Sequence, residues 1–155
     1  MNSLERVSSF VKSYIPDDEG VLGDIYAEAI ANSVPVMRPE TRELLKTQLL
    51  LKKCKNILEI GTAVGYSALF MKKYVAGNAH ITTIEINPER VIDAKENIKR
   101  VYGCSDEDIE RASGIEIIQG DAYEVIKTLP ADSYDFVFMD AAKGQYINYL
   151  HELYR

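Results

Sequence analysis

Acidic side chains at the ends of predicted strands are the residues of this sequence best placed to do chemistry. Glu85 ends one predicted strand, Asp121 and Asp140 follow two others, and Glu59 lies near the end of a fourth. Lys143 comes three residues after Asp140. In a sheet of parallel strands the carboxyl ends meet at one edge, where ligands bind. The pattern therefore predicts a crevice that is lined with carboxylates and contains a lysine.

A glycine turn after the first of these strands indicates the kind of ligand. Gly61 and Gly65 have the spacing Gly-x-x-x-Gly, which lacks the middle glycine that lets a dinucleotide pyrophosphate approach the backbone. Glu59 would repel phosphates, but it suits the amino group and the sulfonium of S-adenosylmethionine. Glu85 follows Gly65 by twenty residues and can accept hydrogen bonds from both ribose hydroxyls. The spacing alone is also typical of a tight turn, but together with Glu85 it predicts a nucleotide-type cofactor.

Asp140 and Lys143 have a catalytic and a structural interpretation. A carboxylate at the end of a strand, completed by substrate and water, is a usual ligand of Mg²⁺. A nearby lysine can act as a base or steer a phenolate-like oxygen towards a methyl donor. In the alternative, Asp140 caps the next helix and Lys143 is solvated. The role of Asp121 also has two interpretations. It either binds an adenine amine or is simply the N-cap of the helix that begins at Ala122.

The periodicity of apolar residues predicts the elements that position these side chains. Strands are predicted over 56–60, 80–85, 115–118 and 134–139. Helices are predicted at about 65–75, 88–102, 121–128 and 144–154, and three more precede the first strand. This alternation predicts an α/β fold, in which a doubly wound and mostly parallel sheet carries helices on both faces.

The three N-terminal helices are expected to pack against the rest of the chain. The apolar stripe of the first helix consists of five residues at helical spacing, namely Leu4, Val7, Phe10, Val11 and Tyr14. An extended link at 34–38 joins the second helix to the third, because Pro35 disfavours the helical conformation of the residue before it. This link is a candidate ligand-facing segment.

Composition limits the class of protein. The chain has 155 residues, of which 46% are hydrophobic, and its net charge of −6 argues against a surface that binds nucleic acid throughout. A basic cluster is present, although such a cluster is usually a solvated face: Arg38, Arg42, Lys52, Lys53 and Lys55. No apolar run reaches membrane-spanning length. Cys54 and Cys104 have no metal-like spacing, so we expect reduced thiols in a soluble, cytoplasmic protein.

We expect a single domain, with helices over residues 1–53 and a cofactor-binding α/β part over 54–155. The sequence stops at Arg155 within a predicted helix, and the apolar fourth strand is a poor candidate for an exposed edge. We therefore expect the domain to be truncated after its fourth strand, as the front portion of a longer one.

Four segments in combination resemble a known family. They are Leu-Glu-Ile-Gly-Thr-Ala-Val-Gly-Tyr-Ser (58–67), Thr-Ile-Glu (83–85), Gly-Asp-Ala (120–122) and Met-Asp-Ala-Ala-Lys-Gly-Gln-Tyr (139–146). They resemble the metal-dependent O-methyltransferases related to catechol O-methyltransferase, over roughly residues 34–150. Within that family the chain is most similar to bacterial tRNA 5-hydroxyuridine methyltransferases, through Val-Pro-Val at 34–36, the residues at 38–41 and the run at 141–146.

The resemblance implies a Rossmann-like methyltransferase fold, a homodimer and a set of site residues. Those around S-adenosylmethionine would be Glu59, Gly61, Ser67, Glu85, Asp121 and Ala122. Asp140 would be a ligand of a divalent metal, and Lys143 would be the catalytic lysine. The family supplies two more metal ligands, an Asp-Asn pair, from a further strand for which this sequence has no residues.

The substrate stays open at this point. Catechol and 5-hydroxyuracil both offer two adjacent oxygens to a metal, so the chemistry does not choose between them. The resemblance favours methylation of 5-hydroxyuridine in tRNA, where a single-stranded loop presents the base unstacked. The alternatives are a catechol-type small molecule, or a domain that binds the cofactor and transfers nothing.

Overall fold

The computed structural model describes residues 3–141 and 143–154, and in this part helices alternate with strands. The helices are α1 (Ser3–Lys12), α2 (Gly20–Ala31), α3 (Pro39–Lys52), α4 (Tyr66–Tyr74), α5 (Pro88–Tyr102), α6 (Ile109–Ser113), α7 (Ala122–Thr128) and α8 (Tyr146–Leu153). The strands are β1 (Asn56–Ile60), β2 (His80–Glu85), β3 (Ile115–Gln119) and β4 (Phe136–Met139). The four predicted strands are confirmed, and β4 begins two residues later than predicted.

The four strands form one parallel sheet in the order β3-β2-β1-β4. Glu59, on the central strand β1, lies between Thr83 of β2 and Phe138 of β4. Helices cover both faces of the sheet, as the side chains of neighbouring β1 residues show. Ile57 faces a core shared with α2, α3 and α4, whereas Leu58 faces a second core shared with α7 and α8. The predicted α/β, doubly wound parallel sheet is confirmed.

Asp135 accounts for the late start of β4. Its Oδ2 accepts a hydrogen bond from the amide of Lys55 at 2.8 Å, and its Oδ1 accepts one from the amide of Asn56 at 3.2 Å. The side chain thus occupies the amide that precedes β1 and the first amide of β1, while the backbone amide of Asp135 donates to the carbonyl of Asn56 at 2.9 Å. It fixes the register of β1 against β4, and with it the relative positions of Glu59 and Asp140.

Of the N-terminal helices, α2 and α3 pack inward as expected, through buried residues that include Ile25 and Leu49, whereas α1 does not. In the apolar stripe of α1, Phe10 is 63% exposed and Tyr14 is 73% exposed, so the prediction that this stripe packs inward is wrong. The physical reason is that α1 contacts α3 through polar groups. Ser8 Oγ donates to Glu40 Oε1 at 2.6 Å, and Lys12 Nζ lies 3.8 Å from the same oxygen.

No helix in the described ranges is both long and apolar enough to cross a membrane. Cys54 and Cys104 are both free thiols. Arg155, at which the truncation is predicted, lies outside the described residues, as does Ala142 of the 139–146 motif.

Candidate active site

The carboxyl ends of the strands open into a cavity of about 1320 Å³. Residues from five separate stretches of sequence line it, and they include most of the predicted site: Gly61, Ser67, Glu85, Asp121, Ala122, Asp140 and Lys143. Pockets for drug-sized ligands usually have about 300–1,000 Å³. The cavity is therefore large enough for a nucleotide-type cofactor together with a second small molecule.

The cavity wall after β1 is the loop at 61–65, whose backbone requires both of its glycines. Gly61 has a φ of +100°, and a Cβ there would lie 2.9 Å from the carbonyl oxygen of Asp140. Gly65 has a φ of +79°, and a Cβ there would lie 3.2 Å from the Cβ of Ala94 on α5. Both the left-handed conformation and the lack of space select glycine. The spacing therefore marks a turn that is held between β4 and α5.

One carboxylate oxygen of Glu85 tethers this loop, and the other binds the backbone that follows β2. Oε2 accepts a hydrogen bond from the amide of Ala63 at 2.9 Å, and Oε1 accepts one from the amide of Asn87 at 2.9 Å. Ala63 has a φ of 46°, a conformation that costs a residue with a Cβ about 1–2 kcal/mol. Asn97 Nδ2 on α5 adds a bond of 2.9 Å to the carbonyl of Val64. The loop is thus fixed in advance, and each Glu85 oxygen keeps a lone pair for a further donor.

Glu59 lies beneath the cavity wall, whereas the resemblance places it among the residues around the cofactor. It is fully buried and is not part of the cavity wall. Oε2 accepts a hydrogen bond from Thr83 Oγ1 at 2.5 Å, and Thr62 Oγ1 lies 2.6 Å from that hydroxyl. Burial raises the pKa of Glu59 to about 7, although the hydroxyls of Ser67 and Thr83 act in the opposite direction.

The second carboxyl oxygen of Glu59 has an unusual environment. Oε1 is buried and has no hydrogen-bond partner among the described residues. A buried carboxyl oxygen without a partner is costly, and so it is rare in proteins. A cation in the cavity above would relieve that cost.

Asp121 caps α7, which confirms the structural interpretation of this residue. Its Oδ1 accepts hydrogen bonds from the amides of Tyr123 at 2.9 Å and Glu124 at 3.4 Å. Asp121 is nevertheless exposed and lines the cavity, and its other oxygen has no hydrogen bond to a described residue. Capping therefore leaves one carboxylate oxygen available to a ligand.

Asp140 and Lys143 lie together beyond the end of β4. The amide of Asp140 donates to the carbonyl of Ile60 at 3.0 Å, which extends the strand ladder by one bond. Both side chains are exposed, and neither makes a hydrogen bond or an ion pair with a described residue. The alternative in which Asp140 caps the next helix is thus not found in the described part of the chain. A carboxylate and an ammonium group here remain free to meet a ligand.

The described residues do not form a metal site by themselves. They include no group of three or more His, Cys, Asp and Glu side chains that could hold an ion. Asp140 is exposed and unpaired, as a ligand to Mg²⁺ should be, but it is one carboxylate without a protein partner. The divalent metal stays a prediction that depends on Asp140 alone.

The link between α2 and α3 forms another wall of the cavity. All of its residues, 34–38, line the cavity, as expected of the candidate ligand-facing segment. The amide of Val34 donates to the carbonyl of Ala29 at 2.9 Å, and Pro39 begins α3, so the link is fixed at both ends.

Further lining residues were missed by the sequence analysis: Ile86, Asn87, Arg90, Tyr123, Gln145, Asn148 and Tyr149. Their position shortly after a strand end is the only sequence signal that could have found them.

The basic cluster does not form one surface. Arg42 is 2% exposed and its Nη1 lies 2.8 Å from Asp18 Oδ2, so the hypothesis that Arg42 contacts phosphate is wrong. Lys52 and Lys55 are exposed, but they lie near the amino end of β1, at the edge of the sheet opposite to the cavity. Arg38 alone of the cluster lines the cavity.

Known proteins with similar sequences are O-methyltransferases. The chain matches the sequence model of a family described as O-methyltransferase over residues 13–155. It is 35% identical over 149 residues to a catechol O-methyltransferase of Niastella koreensis, and 25% identical over 146 residues to one of Mycobacterium tuberculosis. These alignments cover 94% and 93% of this chain but 65% and 63% of the relatives, so the chain spans less than two thirds of their length.

Solved structures with the same fold include methyltransferases with bound ligands. The SAH-bound methyltransferase PaMTH1 from Podospora anserina has a TM-score of 0.80 at 25% identity, over 99% of this chain and 64% of that one. The O-methyltransferase TomG from Streptomyces achromogenes, in complex with SAM, has a TM-score of 0.77 at 22% identity, over 99% of this chain and 69% of that one, and shares the fold. Because the family match spans the whole wall of the cavity, the chain belongs to the O-methyltransferase family.

Proposed function

We propose that this protein binds S-adenosylmethionine in the cavity and transfers its methyl group to a substrate oxygen. The observation that carries the proposal is the loop at 61–65, which Glu85 holds in a left-handed turn at the carboxyl end of β1. A preformed turn of this kind presents backbone to a nucleotide-type ligand, and the carboxylate beside it suits ribose hydroxyls. The names of the relatives support the same activity.

The residues that are present fit this cofactor. Glu85 would accept hydrogen bonds from the ribose, and Asp121 would accept one from the adenine amine with the oxygen that does not cap α7. Gly61, Ser67 and Ala122 would line the space around the cofactor. Their small side chains leave that space open.

Glu59 has a different role from these wall residues. Its buried Oε1, which lacks a partner among the described residues, lies beneath the cavity floor. We propose that the cofactor's cationic amino group and sulfonium, once bound above Glu59, favour the ionised form of this carboxyl, whose pKa is about 7 in the ligand-free chain, and are stabilised by it from below.

The reaction is a displacement at carbon. S-adenosylmethionine supplies an electrophilic methyl group: the substrate oxygen bonds to the methyl carbon, the C–S bond breaks, and the sulfur keeps its electron pair. The substrate hydroxyl must lose its proton for this to occur. Lys143, whose side chain is exposed beside the cavity, would take that proton or stabilise the oxygen anion that remains. Asp140 would be available to hold a divalent metal, and no step here is assigned to that metal.

A catechol-type small molecule is the substrate class that the relatives favour, since two of them are named catechol O-methyltransferases. The 5-hydroxyuridine of tRNA is the second candidate. It is supported by Arg38, a cation that lines the cavity and makes no ion pair with a described residue. The burial of Arg42 removes one of the phosphate contacts that the second candidate would use.

Two measurements test the proposal. Calorimetric titration with S-adenosylmethionine measures binding, and transfer of a labelled methyl group measures activity on a panel of catechols and on tRNA that contains 5-hydroxyuridine. Both are run with and without a chelator. Absence of binding would contradict the proposal. Binding without transfer to either substrate would favour the third hypothesis, a cofactor-binding domain, and chelator-insensitive transfer would contradict the divalent metal.

The homodimer, the single domain and the cytoplasmic location stay predictions. The outward apolar stripe of α1 supports the homodimer, because a second copy of the chain could cover it.

A further inference from the structure

A buried polar cluster lies at the wall of the cavity, where the N-terminal helices meet α4, and one of its residues, Tyr66, lines the cavity. We call this cluster the Asp18 knot, and it consists of Asp18, Arg42 and Tyr66. Arg42 Nη1 donates to Asp18 Oδ2 at 2.8 Å and to Tyr66 Oη at 3.3 Å, and Tyr66 Oη donates to the same Asp18 oxygen. Arg42 Nη2 donates to the carbonyl of Pro16 at 2.6 Å. The side chains of Arg42 and Asp18 are only 3% and 6% exposed.

The Asp18 knot joins two walls of the cavity. Tyr66 is the first residue of α4 and directly follows the loop at 61–65. Arg42 lies in the first turns of α3, directly after the wall at 34–38. Asp18 connects the two, and a Cβ on Gly23 of α2 would meet its carbonyl oxygen, so α2 is packed against the same point.

Stability alone does not explain this arrangement. Burying an ion pair usually gains little over packing apolar side chains of similar volume, because both charges lose their water. The surrounding contacts are in fact apolar, since Tyr66 packs against Tyr26 at 5.2 Å and against Phe70 at 6.3 Å between ring centroids. Burial raises the pKa of Tyr66, which keeps its hydroxyl protonated and able to donate. The polar groups instead make the orientation of the Tyr66 side chain specific, because its hydroxyl forms both hydrogen bonds in one orientation.

We propose that Asp18 and Arg42 are positioning residues, which act through Tyr66 to hold the loop at 61–65 against the wall at 34–38 before the cofactor enters. The proposal rests on the proposed function for its consequence, which is tighter binding of S-adenosylmethionine. Its structural part, a loop that is less free to open, can be measured without any ligand.

Tyr66→Phe is the variant that tests the knot. Replacing Arg42 would leave the buried Asp18 with only Lys73 as a counter-charge, whose Nζ lies 3.9 Å from Asp18 Oδ1, and would therefore destabilise the fold. Tyr66→Phe keeps the ring and removes only the hydroxyl. Tyr26→Phe is the matched control. It removes a hydroxyl from the adjoining ring, and that hydroxyl makes no hydrogen bond to a described residue.

Hydrogen–deuterium exchange on the ligand-free chain is the first readout. We expect amides at 61–67 to exchange about tenfold faster in Tyr66→Phe than in wild type, while amides of β1 and β2 stay unchanged. Calorimetry with S-adenosylmethionine is the second readout, with an expected rise of about tenfold in Kd for Tyr66→Phe and no change for Tyr26→Phe. A purely structural role predicts instead a lower thermal midpoint with unchanged loop exchange.

The outcomes separate the two proposals. Equal loop exchange in Tyr66→Phe and Tyr26→Phe overturns the positioning role, whatever the cofactor does. Faster loop exchange in Tyr66→Phe, together with a wild type that does not bind S-adenosylmethionine, supports the knot as the anchor of the loop and contradicts the proposed function. Faster exchange with unchanged cofactor affinity overturns the claim that the knot serves the cofactor.

Discussion

The α/β part of the chain and the three helices before it place their side chains by different rules. In β1 the apolar residues Ile57, Leu58 and Ile60 are all buried, because strands on both sides and helices on both faces leave them no exposed direction. In the N-terminal helices an apolar stripe lies outside on α1, while the charged Arg42 is buried on α3. An apolar pattern therefore predicts burial where the element is enclosed on every side, but on a surface helix such as α1 it does so only where a neighbouring element covers the stripe.

This difference suggests that the strand ends and the N-terminal helices have different roles. The strand ends supply the groups that could act on a ligand, and the N-terminal helices supply a wall and a polar anchor. Variants at the strand ends should then change binding or turnover. Variants on the outer surface of the N-terminal helices should change association and leave binding alone.

Lys143→Ala should have the largest effect. Turnover should fall about 10²-fold or more, which is the range for one lost acid–base group, because no other described lysine lines the cavity to take the proton or stabilise the oxygen anion. Affinity for S-adenosylmethionine should stay nearly the same, since Lys143 is exposed and makes no tether to the loop at 61–65. Steady-state kinetics and calorimetry measure the two quantities.

Lys52→Ala is the matched control for Lys143→Ala, because Lys52 is exposed but lies away from the cavity. Its turnover should equal that of wild type. A loss of turnover in both variants, or in neither, would contradict the catalytic assignment of Lys143.

Glu59 should make the stability of the ligand-free protein depend on pH. Its pKa is about 7 in the folded chain, compared with 4.5 for a free glutamate side chain. Because the folded-state pKa is raised, the neutral carboxyl stabilises the fold fully below about pH 4.5, and this contribution is lost as the pH rises to about 7. The difference corresponds to about 3 kcal/mol in the free energy of unfolding.

Glu59→Gln tests this expectation, because its amide stays neutral at every pH. Urea unfolding of both proteins should show that wild type loses stability relative to Glu59→Gln between about pH 5 and pH 7.5. A difference between the two proteins that does not change with pH would show that Glu59 is ionised throughout the range.

Glu85→Ala should weaken the binding of S-adenosylmethionine by about 1.5–3 kcal/mol, which is typical of lost hydrogen bonds to a charged group. The variant also removes the hydrogen bond to the amide of Ala63, so this bond no longer offsets the cost of the left-handed conformation of Ala63. Calorimetry measures the affinity, with Glu107→Ala as the control on an exposed glutamate outside the cavity wall. Unchanged affinity in Glu85→Ala would remove this residue from the site.

The sequence was sufficient for the parts of the molecule in which local geometry decides. Gly61 and Gly65 could be recognised because a left-handed turn in contact with neighbouring backbone admits only glycine. Glu85 and Asp140 could be placed because parallel strands align their carboxyl ends. The depth of Glu59 could not be predicted, since it depends on how Thr62 and Thr83 pack above and beside it.

The Asp18 knot could not be predicted for a related reason. Asp18, Arg42 and Tyr66 are separated by 24 residues at each step, and although Tyr66 belongs to the 58–67 motif, that motif gives no sign of a contact with Asp18 or Arg42. Pro16, Asp17 and Asp18 indicate only a break after the first helix, and the basic cluster predicts a solvated face for Arg42. Only the packing of α2, α3 and α4 around one point shows that their polar groups meet.

The smallest effect on cofactor binding and turnover is expected for a variant in the apolar stripe of α1. Such a variant tests the role of the N-terminal helices in the comparison above. Phe10 is 63% exposed, and its ring packs against that of Tyr14 at 5.1 Å between centroids. If a second copy of the chain covers the stripe, Phe10→Glu buries a charge in that contact and should convert the homodimer to a monomer. Its affinity for S-adenosylmethionine should stay within about twofold of wild type, as expected of a surface change away from the site. Light scattering gives the mass, and Ile92→Glu on α5, at a position that is 61% exposed, is the matched control and should stay dimeric. A monomeric wild type would show that the homodimer prediction is wrong, and a dimeric Phe10→Glu would place the contact on another surface.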